Sequence, residues 1–225
     1  MQSPTTFREF FDDSLTPAVR GFLHSPQSPN GDGSGLVLTH GAGSNCNAPL
    51  LITLSDVFAE RGYSVLRCDL PFRQERRTGP PFPGGAERDR AGLRNAVMAL
   101  RKTVAGRIFL GGHSYGGRQA TMLCAAEPDL VPGLLLLSYP LHPPRKPEQP
   151  RIQHLPNLRT ASLFVHGTRD PFGSVEEMTA ALRLIPAKTE LMEVEGAGHD
   201  LGFKGKVQAK GLPANILAIF EPMFR

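Results

Sequence analysis

The sequence predicts a three-layer α/β/α sandwich on a mostly parallel sheet, and two observations carry that reading. Six short apolar runs recur along the chain: "GLVLTH" (35–40), "YSVLRC" (63–68), "RIFLGG" (107–112), "GLLLLSY" (133–139), "ASLFVHG" (161–167) and "TELMEVEG" (189–196). Strands that are nearly continuous in apolar residues are buried on both faces, as parallel strands covered by helices are. Helical stretches lie between these runs, and alternation of strand and helix gives a helix layer on each side of the sheet.

Taken in order, "AVRGFLHSP" (18–26) reads as an antiparallel edge strand ahead of the parallel set. "APLLITLSDVFAERG" (48–62) has apolar residues at helical spacing and stops at Gly62, while "GGAERDRAGLRNAVMALRKTV" (84–104) carries a stripe through Leu93, Val97 and Leu100. "RQATMLCAAE" (118–127) is a third helical stretch, and "LPANILAIFEPMF" a closing helix begun by Pro213. Between them "YPLHPPRKPEQPRIQHLPNLR" (139–159) holds six prolines, each of which would remove a donor from a helix interior. It is expected to form an irregular proline-rich rim or short lid.

With 225 residues, 40% hydrophobic and 20% charged, the chain is expected to form a single domain over 1–225 with a core that needs no staples. The net charge of +4 is mild and its cations are interleaved with 21 acidic residues, so nucleic-acid binding is not called for. Cys46, Cys68 and Cys124 suggest neither a disulfide framework nor a metal-ligand spacing, and no metal site is expected. The opening "MQSPTTFREFFDDS" lacks the basic and apolar blocks of a signal peptide, and no apolar run approaches a membrane span. A cytoplasmic setting is the default.

The chemistry concentrates in "IFLGGHSYGGRQA" (108–120), where four glycines surround Ser114 directly after a buried strand. "GHSYG" matches G-x-S-x-G at a junction of strand and helix, the context of a nucleophile elbow. There the serine takes a strained backbone angle, and Gly112 and Gly116 are required because side chains would collide with strand and helix.

A serine hydroxyl is a poor nucleophile at neutral pH and needs a base, which needs a third group to hold its tautomer. "FVHGTRDPFGS" places Asp170 after one later strand and "VEGAGHDLG" places His199 after the next, in the order Ser, Asp, His. Asp69 and Asp200 are the rival acids and rank below Asp170. His113 and His166 are expected to satisfy local hydrogen bonds, and His142 and His154 to be exposed. The glycine-rich turn in "LTHGAGSN" offers backbone donors for an oxyanion, assigned to Ala42 together with Tyr115, with His40 bracing the loop. The loop "DLPFRQERRTGPPFPGG" (69–85) is expected to overhang the same site, where Arg73, Arg76 or Arg77 would bind a substrate carboxylate or phosphate; the bland alternative is a solvated loop.

These motifs together resemble the α/β-hydrolase superfamily over roughly residues 35–225. More narrowly, "LTHGAGSN", "GGHSYGGRQA" and "FVHGTRDPFG" look like the bacterial hydrolases grouped with the testis-expressed and chromatin-complex (NSL) subunit proteins, distant relatives of dienelactone hydrolase. The resemblance implies a covalent intermediate at Ser114, no cofactor, and at this length little or no cap domain. Dienelactone hydrolases use a cysteine nucleophile where this chain has serine, so their specific activity is not carried over.

The expected function is a serine hydrolase of carboxylic esters or thioesters of small acyl substrates, acting on a small molecule through Ser114, His199 and Asp170. A peptidase or amidase using the same machinery, and a non-enzymatic interaction module on the same fold, are the alternatives.

Overall fold

The computed structural model describes residues 7–27, 32–203 and 211–225. Eight strands form one sheet in the order β1-β2-β4-β3-β5-β6-β7-β8. They are β1 (Phe7–Asp12), β2 (Val19–His24), β3 (Gly35–Thr39), β4 (Ser64–Asp69), β5 (Ile108–His113), β6 (Gly133–Leu137), β7 (Ala161–Gly167) and β8 (Thr189–Val194). β3 to β8 are mutually parallel, and β2 and β1 extend the sheet antiparallel.

The apolar runs are continuous because consecutive side chains enter two different cores. Leu36 and Leu38 of β3, Phe109 of β5 and Leu135 and Leu137 of β6 pack under α1 (Pro49–Glu60) and α6 (Leu212–Met223). Their neighbours Val37, Leu110, Leu134 and Leu136 pack under α3 (Ala86–Arg101), α4 (Tyr115–Ala126) and α5 (Val175–Leu182). Each such side chain contributes about 1.5–3 kcal/mol of burial, so register is fixed strand by strand. A short helix, α2 (Pro71–Glu75), occupies the loop after β4. No helix among the described residues is long and apolar enough to cross a membrane.

Two expectations change. The strand expected as the antiparallel edge is β2, but it is an interior strand, because β1 pairs along its outer side from Phe7↔His24 to Asp12↔Val19. β1 gives little apolar signal: Phe7 and Phe11 stay 48% and 57% exposed, and of its side chains only Phe10 packs against the core. The proline-rich 139–159 stretch contains one 3₁₀ turn, at Leu155–Asn157, and no other helix or strand. Its histidines, however, are not exposed: His142 is buried, and half-buried His154 shares a 2.8 Å hydrogen bond with Thr121 of α4.

Buried Arg67 ties the antiparallel end of the sheet to the rest. Its guanidinium lies 4.3 Å from the Phe22 ring and donates to Cys46 O and Asn47 Oδ1, and its Nε–H donates to His24 Nε2 at 2.8 Å. That bond requires an unprotonated Nε2, so His24 carries its proton on Nδ1, 3.1 Å from Asp56 Oδ1. Burial first, and the Arg67 charge second, hold the imidazole down at about 4.

A histidine whose folded pKa is depressed gives stability that is full above its unfolded pKa near 6.5 and is lost as pH falls toward 4. Urea unfolding at pH 7 and pH 4.5 should therefore show wild type losing about 2 kcal/mol more than His24→Gln does over the same interval. Equal losses in the two proteins would remove His24 as the cause.

Candidate active site

Loops following β3, β5, β7 and β8 converge at the C-terminal edge of the sheet, where open α/β sheets bind their ligands. Ser114 sits between the last residue of β5 and the first of α4, at φ 51° and ψ −117°. A side chain at that φ is uncommon and persists where the surroundings over-determine it. The strand and helix backbones come so close that a Cβ on Gly112 would lie 2.6 Å from Gly117 N, and a Cβ on Gly116 would lie 2.6 Å from His40 O, just past the end of β3. The Ser114 N–H donates to Leu137 O of β6 at 2.8 Å, which fixes the turn to the next strand.

His199 reaches this serine from the loop after β8. Its Nε2 lies 2.8 Å from Ser114 Oγ, and its Nδ1 lies 2.8 Å from Asp170 Oδ2. The carboxylate accepts Nδ1–H, which leaves Nε2 to accept the serine hydroxyl. Asp170 is buried, and its other oxygen accepts Phe172 N–H at 2.9 Å. It does not cap the helix that follows: Ser174 does, in a capping box with Glu177. The acid and histidine loops are laced together by Thr168 N–H to Val194 O, Arg169 N–H to Ala197 O and Gly196 N–H to Thr168 Oγ1.

Two side chains fix the imidazole from its flanks. The Phe172 ring lies 4.1 Å from that of His199, and His113 Nε2 is 2.8 Å from the His199 carbonyl. His113 thus holds the loop by a local bond, as does His166, whose Nε2 bonds Gly173 O at 2.8 Å. Asp69 is engaged elsewhere: it accepts Cys46 N–H at 2.7 Å.

On the far side of Ser114, the loop after β3 is braced from behind. His40 donates from Nδ1 to Gly41 O at 2.8 Å and accepts Leu70 N–H at Nε2, and burial lowers its pKa so that it stays neutral. The C=O and N–H of one planar peptide point in opposite directions, so fixing Gly41 O also fixes where Ala42 N–H points. Ala42 and Tyr115 line, with Ser114 and His199, a cleft of about 430 Å³. The Tyr115 hydroxyl donates to Asp89 Oδ2 at 2.7 Å, tying the residue after the serine to α3.

The arginines of the 69–85 loop do not line this cleft. Arg73 is turned inward, donating to Ser44 O, Ala42 O, Gly79 O and Arg76 O at 2.7–3.0 Å, so its donors stitch the loops together. Arg76 donates to Pro80 O and stacks on Phe82, and Arg77 is exposed. The arginines that do line the cleft are Arg118 and Arg151. Arg118 was within reach of sequence reasoning, since a residue four places after the serine on a helix shares its face; Arg151 and Phe172 are placed by loop shape, which leaves no periodic trace. Burial pushes the Cys46 and Cys124 thiols up to about 12 and raises that of Cys68, so no cysteine offers a thiolate.

Comparison with known proteins agrees with this architecture. A family model described as an alpha/beta hydrolase domain matches residues 32–215, and the chain belongs to that family. A dienelactone hydrolase from Anabaena variabilis ATCC 29413 is similar in structure at 20% identity and a TM-score of 0.74, covering 99% of this chain and 98% of that one. An alpha-beta serine hydrolase homologue from Coxiella burnetii is similar at 15% identity and a TM-score of 0.70, with 100% and 99% covered. So is an a/b serine hydrolase without lid from Xanthomonas campestris, at 14% identity and 0.70, with 99% and 97% covered. At these identities the likeness is one of fold. The chain is compact, and among the described residues its strands and helices form no separate cap domain.

A methyl group at Gly112 would meet backbone that cannot rotate away. Gly112→Ala should cost about 2 kcal/mol or more in urea unfolding. A cost below a few tenths would mean that the approach of β5 to α4 is not as tight as described.

Proposed function

We propose that this chain is a serine hydrolase of carboxylic esters or thioesters with small acyl groups, with Ser114 as nucleophile, His199 as general base and then acid, and Asp170 as the group that orients it. The observation that carries the reading is the pair of 2.8 Å contacts joining Ser114 Oγ, His199 and Asp170 on a strained strand-to-helix turn. An idle serine has no need of such a turn, and an idle histidine no need of a buried carboxylate behind it.

In this mechanism His199 takes the hydroxyl proton as Oγ attacks the ester carbonyl, and Asp170 stabilises the imidazolium that results. The negative oxygen of the tetrahedral intermediate is held by the backbone N–H groups of Ala42 and Tyr115, the first aimed by the His40–Gly41 bond and the second at the start of α4. His199 returns the proton to the leaving alcohol or thiol, leaving an acyl-enzyme. It then deprotonates a water, which attacks the acyl carbonyl and regenerates Ser114. The chain supplies every group these steps need, without a cofactor.

A cleft of about 430 Å³ suits short acyl groups. Within the family, the motifs around Ala42, Ser114 and Asp170 favour the branch grouped with the testis-expressed and NSL-subunit proteins. Three buried, unpaired cysteines suit the reducing cytoplasm.

Kinetics on matched short-chain ester and amide substrates test the reading. Ser114→Ala should lower ester kcat/KM by about 10⁴ or more, and Asp170→Asn by about 10³–10⁴ through loss of the correct imidazole tautomer. Wild type should cleave the ester far faster than the amide. Ester turnover undiminished in folded Ser114→Ala would remove the assignment, and a preference for the amide would redirect it to an amidase.

A further inference from the structure

Four arginines, Arg61, Arg88, Arg94 and Arg107, each face a carboxylate. Arg118 and Arg151, like most arginines among the described residues, do not; what sets them apart is their place. Both line the cleft at Ser114, and among the described residues neither forms a salt bridge. Two guanidinium groups close enough to feel one another stand in one cleft with no carboxylate paired to either.

Each is held in place. Arg118 lies one helical turn beyond Ser114, its N–H donating to Ser114 O at 3.0 Å, so it rises from the same face of α4 as the serine. Its Nε is buried and has no hydrogen-bond partner. Arg151 comes from the proline-rich rim: its N–H donates to Leu141 O at 2.7 Å, its carbonyl accepts the Tyr139 hydroxyl at 2.8 Å, and its guanidinium gives one N–H to Pro140 O at 3.2 Å. Burial first, and the charge of Arg118 second, lower the pKa of Arg151. Asp89, on the wall behind Tyr115, is engaged by the Tyr115 hydroxyl and Phe72 N–H.

A guanidinium has five donors in a planar fork that matches a carboxylate or phosphate, and leaving such donors unpaired and two cations together is costly. An arginine with a purely structural role ends as Arg73 does, with carbonyls at its donors. We propose that Arg118 and Arg151 form an anion subsite beside Ser114, so that the natural ester carries an oxyanion group, a carboxylate or a phosphate monoester, away from the bond that is cut. This rests on the ester-hydrolase reading and adds the charge of the substrate to it. It also moves the anion site from the loop of Arg73, Arg76 and Arg77 to the elbow helix and the rim.

The test compares matched ester pairs in wild type: monomethyl glutarate against methyl hexanoate for the carboxylate, and acetylated glycerol phosphate against acetylated glycerol for the phosphate. At least one anionic ester should exceed its neutral partner in kcat/KM by about tenfold or more, mostly through KM. Which pair shows the preference identifies the oxyanion. Arg118→Gln and Arg151→Gln should each bring the ratio toward one, with Arg118→Lys keeping part of it. Equal or inverted ratios in wild type, with turnover that still depends on Ser114, would overturn the subsite and leave the hydrolase reading intact.

Calorimetric titration of Ser114→Ala with glutarate and with inorganic phosphate tests the subsite without turnover. Binding of one of them, weakened about tenfold or more when Arg118→Gln is added, supports it. No binding of either anion to the folded protein overturns it, whatever the ester assays give.

Discussion

The constraint on which the rest of the structure depends is the turn at Ser114, held at φ 51° and ψ −117° between β5 and α4. Such a conformation costs about 1–3 kcal/mol on its own. It is maintained because the strand and helix meet backbone to backbone at Gly112, Gly116 and Gly117, while β6 binds the serine N–H. The large two-sided core of Leu, Val and Phe side chains fixes β5 and α4 rigidly enough to hold it. Stability gained across the whole sheet thus holds the strain at Ser114, whose hydroxyl is lifted to meet His199.

The loops around that residue are made firm by interactions distinct from those at the centre of the cleft. Arg73, His40 and Asp89 each bond backbone groups that shape the pocket wall, and Phe172 and His113 flank the imidazole. Arg118 and Arg151 have fewer internal partners: Arg151 donates to Pro140 O, and the buried Nε of Arg118 has none. The contrast between Arg73 and these two divides the cations of this region into those that complete the fold and those that await a ligand. Density of positive charge along the sequence did not distinguish them, because the distinction lies in where each guanidinium turns.

Much of the fold was legible in the sequence because β3, β5, β6 and β7 bury both faces and therefore appear as unbroken apolar runs. β1 was not legible, since "FREFFD" has neither an unbroken apolar run nor a period-two alternation, and only Phe10 packs against the core. At the site, Ser114, Asp170 and His199 were readable from a glycine pattern and from their order after successive strands. Arg151 and Phe172 were hidden, because the proline-rich 139–159 stretch and the seven-residue loop between β7 and α5 set their directions by tertiary contacts alone. His142 and His154 show the same limit in reverse: polar residues in an irregular segment read as exposed, yet the segment packs against α4 and α5 and covers them.

The central claim is that the strained turn and the histidine behind it make Ser114 nucleophilic. It is tested most directly by treating the folded protein with a fluorophosphonate and locating the adduct by mass spectrometry. The account predicts a single adduct on Ser114, formed rapidly in wild type and suppressed in His199→Ala. A folded wild-type protein that stays unlabelled, or that is labelled on another residue, would contradict it.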